Sequence, residues 1–95
     1  MVADDLTLEW RRAIARRLLA EHPLGNRVPL EWAEELVDAQ HRTDLAAYGR
    51  LSISAIGEFE RFQAIRARIT AIDSDLSMRL GLLAQGAFDD QREEG

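Results

Sequence analysis

The chain predicts an all-α fold: two short antiparallel helices, then one long C-terminal helix, assembled as a helical-bundle dimer. Three observations lead there. Apolar residues recur at three- and four-residue steps along most of the chain. Pro23, Gly25 and Asn26 interrupt that pattern once, early. The carboxyl half then carries a long apolar stripe on a single helical phase.

With 95 residues the chain makes one domain, and a core of that size is marginal without a partner. Hydrophobic residues make up 46%, a globular composition. No cysteine is present, which removes disulfides, thiolate metal sites and cysteine nucleophiles. All 12 basic residues are arginine, which removes Schiff-base and phosphate-loop lysine chemistry. Met1–Asp5 lacks a signal-peptide pattern, and no apolar run approaches the roughly 18 residues of a membrane span. The expectation is a soluble, cytoplasmic protein with no membrane partner.

The first helix is expected from an N-cap at Thr7, with Glu9 in the first turn, to about Glu21, where Pro23 stops it. Leu6, Trp10, Ala13, Ile14 and Leu18 share one side, and Arg17 lies in the same arc. Residues 22–28 form a loop, and Pro29 suits the first position of a second helix. Ala33, Leu36, Val37 and Gln40 make its inner stripe beside Trp32, with Glu31, Glu34, Glu35 and Asp38 outside. Thr43 and Asp44 offer a fresh cap, so this helix should yield there. Leu-Glu-Trp occurs at 8–10 and 30–32, too short for a structural repeat.

Charge is unevenly distributed. Residues 8–20 hold Arg11, Arg12, Arg16 and Arg17 against Glu9, a net of +3. Residues 29–47 hold Glu31, Glu34, Glu35, Asp38 and Asp44 against Arg42, a net of -4. The two helices should attract each other.

Beyond a break or kink in 49–57, the residues Phe59, Phe62, Ile65, Ile69, Ile72, Leu76, Leu80 and Leu83 form a near-heptad stripe. Opposite it lies a second band: Ala64, Ala67, Ala71, Met78 and Leu82. As one helix, Ser54 to Gln85 would be about 48 Å long. A compact domain of this size is only roughly 32 Å across. Such a rod would protrude and leave large side chains in water, each forfeiting about 1.5–3 kcal/mol. A two-fold dimer along the eight-residue stripe follows from that premise. The alternative is a break at Ile72-Asp73-Ser74-Asp75, with Asp73 or Ser74 capping a new helix in a compact monomer of four or five helices. Gly86 is the expected terminator. The domain then spans 1–86, and 87–95 is an acidic, mobile tail whose Phe88 is a candidate docking peptide.

Catalytic equipment is not recognisable. Ser52, Ser54, Ser74 and Ser77 lack a nucleophile elbow, and neither histidine has a triad role. No glycine-rich phosphate loop occurs. Ile65 through Asp73 resembles the opening helix of the all-helical chorismate mutases, a likeness that extends to Leu80. In that family the helix begins the domain and a lysine joins arginines in the active site. Here the segment lies toward the carboxyl end and lysine is absent, so no catalytic residue is carried over.

The expectation is therefore a non-enzymatic protein–protein interaction module without a cofactor: a small adaptor, regulator or accessory subunit that self-associates through the long helix. Trp10, Trp32, Phe59 and Phe62 are candidate anchors, with core packing as their competing role. Two alternatives stand beside it. Arg11, Arg12 and Arg16 could contact nucleic acid, although an acidic second helix opposes this. Glu34, Asp38 and His41 share a face at helical spacing, followed by Asp44, and could ligate a metal. An ion pair of Asp73 with Arg17 or Arg66 competes with Asp73 as a helix cap.

Overall fold

The computed structural model describes residues 5–50 and 52–89, with side chains from Thr7 onward. The side chain of Leu6 in the first apolar stripe and positions 90–95 of the acidic tail lie outside that description. Four α-helices occur among them: α1 (Asp5–Glu21), α2 (Leu30–Ala47), α3 (Ala55–Thr70) and α4 (Ser74–Ala84). No strand is present among the described residues.

The long C-terminal helix is not formed. It breaks at residues 71–73, where Asp73 takes extended backbone (φ -161°, ψ 122°) and its Oδ2 accepts the Leu76 N–H at 2.8 Å. Asp73 is thus the helix cap, and it forms no ion pair with Arg17 or Arg66 among the described residues. The physical reason is burial. Folding back lets Leu76, Leu80 and Leu83 join Phe62, Ile65 and Ile69 in one core, all six at most 6% exposed. A straight rod would have left that apolar area in water.

The other boundaries also differ in instructive ways. Thr7 lies inside α1, which already includes Asp5. The second helix runs past Thr43, whose hydroxyl donates to the Ala39 carbonyl at 2.8 Å and so is satisfied without leaving the helix. It ends instead at Gly49, where φ is 73°. The N–H groups of Gly49 and Arg50 return to the Ala46 and Leu45 carbonyls at 3.0 and 2.7 Å, a Schellman closure. Gly86, with φ 93°, ends α4 in the same way, as expected from sequence. Ser54 caps α3 by accepting the Gly57 N–H at 3.0 Å.

Each helix runs antiparallel to the one before it. Arg12 meets Asp38 and Arg16 meets Glu34, which sets α1 against α2. Arg42 meets Glu58, and the Arg68 guanidinium lies 5.9 Å over the Trp32 ring, which sets α2 against α3. The Thr70 and Ser77 hydroxyls, 2.6 Å apart, tie α3 to α4. The shape is flat, 38 × 35 × 17 Å, thick enough for two helix layers at 8–10 Å spacing. Every helix therefore keeps a face in solvent.

Arg42 donates to Glu58 at 2.7 Å and also pairs with Glu35. The Arg42 hydrogen bond holds the Glu58 carboxyl below the ordinary glutamate range, against the opposing effect of burial. A depressed folded-state pKa contributes stability above the unfolded value and loses it as pH falls through the folded one. The difference in melting temperature between wild type and Glu58→Gln is therefore expected to shrink as pH is lowered from neutral through about 4. A difference that stays constant across that titration would show that the pair contributes nothing.

Candidate functional site: a groove between the first and last helices

The eight residues of the expected self-association stripe line the interior of a single chain. Phe62, Ile65, Ile69, Leu76, Leu80 and Leu83 are buried, while Phe59 and Ile72 are half-buried against them. Phe59 stacks on Phe62 with ring centroids 5.6 Å apart. With the rod gone, the premise that required a dimer along this stripe is gone as well.

Three of the four arginines of α1 are engaged within the chain. Arg11 is buried, forms a two-point contact with Asp89 (2.7 and 3.2 Å) and points toward the Ala84 carbonyl at the end of α4. Asp89 and the half-buried Phe88, the first part of the expected tail, lie against the domain. Arg12 bridges Glu9 and Asp38, and hydrogen bonding to Asp38 raises its pKa further. Arg16 pairs with Glu34. The attraction between basic α1 and acidic α2 is present and engages Arg12 and Arg16, while Arg11 is engaged by Asp89.

The acidic face of α2 does not converge. Glu34 and Asp38 are turned to Arg16 and Arg12, and Asp44 accepts from Gln40 at 3.0 Å. His41 is buried, with Nδ1 unpartnered among the described residues.

What the chain leaves open is a groove between α1 and α4. Trp10, Ile14 and Leu18 contribute from α1 and Phe88 from the turn after α4, all half-buried. Arg17 and Glu21 rim it on one side, Asp75 and Arg79 on the other. Leu82 falls on the same face of α4 as Asp75 and Arg79 and is 43% exposed. The Trp10 indole N–H is covered and has no acceptor among the described residues. Arg79 is held by Asp75 at 2.9 Å, whereas Arg17 and Glu21 form no ion pair among the described residues. The stripe Trp10-Ile14-Leu18 is visible in the sequence, but the helix it would face is not.

One end of the groove is closed by a cluster that sequence spacing does not reveal, because its members lie about 50 residues apart. His22 Nε2 is 3.3 Å from both Asp73 Oδ2 and Asp75 Oδ2. The three groups offer a ligand set of the size a divalent cation uses. The hydrogen bonding argues for another role. His22 Nδ1 accepts the Leu24 N–H at 3.0 Å, so the neutral ring carries its proton on Nε2, the atom facing the carboxylates. A cation at Nε2 would require that proton to move to Nδ1 and would break the Leu24 bond. Asp73 Oδ2 is also committed as the α4 cap and Asp75 Oδ2 to Arg79. The residues do not fit a metal. They fasten the α1–α2 loop to the α3–α4 corner.

No family model, curated protein or solved structure matches the chain. No described helix is long and apolar enough to cross a membrane.

Proposed function

We propose that this chain is a non-enzymatic protein–protein interaction module that receives an amphipathic helix of a partner protein in the α1–α4 groove. The observation that carries the reading is the open floor of Trp10, Ile14, Leu18 and Phe88, with exposed Leu82 on the face of α4 that carries Asp75 and Arg79. Large apolar side chains between two helices, rimmed by charge, suit a helix presenting apolar residues at i, i+4 and i+7. The rim defines the partner's charges. Arg17 and Glu21 stand one turn apart without ion pairs among the described residues, so the incoming helix carries an acid and a base at similar spacing.

A photo-crosslinking side chain placed at Leu82, with an equivalent at exposed Glu31 on α2, tests this in extracts of the native host. The expected result is one discrete adduct from position 82, none from 31, and loss of the adduct with Arg17→Glu. Equal adducts from both positions, or an adduct indifferent to Arg17→Glu, would overturn the reading.

A further inference from the structure

We infer that the outward face of α3 pairs with the same face of a second copy of this chain, antiparallel about a two-fold axis at Ala64. This surface is separate from the groove, and the inference does not rest on a groove ligand. Of the 16 residues of α3, only Phe62, Ile65 and Ile69 are buried. Ile56, at 75%, is the most exposed large hydrophobic side chain among the described residues. Ile53, just before the helix, is 43% exposed. Ile56, Glu60, Ala64, Ala67 and Ala71 follow one another at three- and four-residue steps on the side opposite the core.

The charges choose the occupant. Glu60 and Arg68 form no ion pair within the chain among the described residues, and Arg68 is held in place over Trp32. They stand four residues to either side of Ala64, one acid and one base. A two-fold axis at Ala64 brings each Glu60 opposite the other copy's Arg68, so the pair is made twice. The same operation sets Gly57 against Ala71, which lets the backbones approach at the low end of helix–helix spacing. An unrelated partner would need no such antisymmetry of charge about one residue. A second copy does.

A seam along one helix of 16 residues is short and belongs with the weaker interfaces. Sedimentation velocity on the full chain, up to about 1 mM, is the measurement. The wild type is expected to dimerise. Ala64→Arg, at an exposed position and therefore tolerated by the fold, sets like charges together at the axis and is expected to leave a monomer of unchanged helicity. Glu60→Arg and Arg68→Glu alone are each expected to weaken association about tenfold, because the change acts twice, and the double reversal to restore it. A wild type monomeric to 1 mM, a dimer that survives Ala64→Arg, or a double reversal that recovers nothing overturns the inference.

Discussion

Replacing Gly25 with alanine is expected to cost roughly 3 kcal/mol or more and to lower the melting temperature by about 15 °C or more. Gly25 is buried at the start of the short 3₁₀ turn Gly25–Arg27 that carries the chain from α1 to α2. A Cβ built there would lie 1.7 Å from the Leu19 carbonyl oxygen and 2.6 Å from its carbon. Both are backbone atoms of α1, so no rotamer change relieves the clash. The turn cannot easily retreat either. It is pinned by the Gly25 N–H to the His22 carbonyl at 3.0 Å and by the Leu24 N–H to the His22 ring. Gly57→Ala is the control. There an added Cβ meets only the Ser54 side chain at an ordinary 3.5 Å, inside a helix where alanine is favoured. Thermal unfolding of the two variants should separate them clearly. Similar melting temperatures would mean that α1 and the turn are not packed as described.

The second large effect is expected at Leu80. Leu80→Ala should cost about 3 kcal/mol, within the usual range for a leucine truncated in a closed core. Leu80 is fully buried among Leu76, Leu83, Phe62 and Ile69, each at most 1% exposed. The alanine would leave a void that surrounding helices cannot fill without losing contacts. Its diagnostic value lies in concentration dependence. A side chain inside one folded chain contributes the same stability at any dilution, whereas one in an intermolecular seam contributes only while the copies are associated. Chemical denaturation at about 1 and about 100 µM should therefore give the same difference between variant and wild type. A difference that vanishes on dilution would return Leu80 to a dimer seam.

Much of the local structure is legible in the residues. Pro23 and the following turn formers end α1, Pro29 precedes α2, and Gly86 ends α4, each for a backbone reason that acts within a few residues. The mutual attraction of α1 and α2 is equally legible, because opposite charges on consecutive helices need only a tight turn to meet. The α2 terminus is less so. Thr43 and Asp44 are good caps, and they remain helical because each finds a partner within the helix, at Ala39 and Gln40.

The candidate groove was half legible. Trp10, Ile14 and Leu18 announce an apolar face, but Arg79, Asp75 and Phe88 reach it only because the chain reverses after Thr70. The His22 cluster was not legible at all. Its geometry depends on a loop and a corner that are distant in sequence and meet only when both hairpins close.

The sequence alone determined that the chain is helical, which residues are apolar on each helix, and where backbone chemistry sets three of the helix ends. Only the tertiary structure decided that the stripe from Phe59 to Leu83 belongs to two helices. The reason is that Ile69, Ile72 and Leu76 keep the same periodicity across the corner whether the helix continues or breaks. Asp73 permits a break without requiring it. Burial of both halves of the stripe in one core tips that balance, and no local interaction records it.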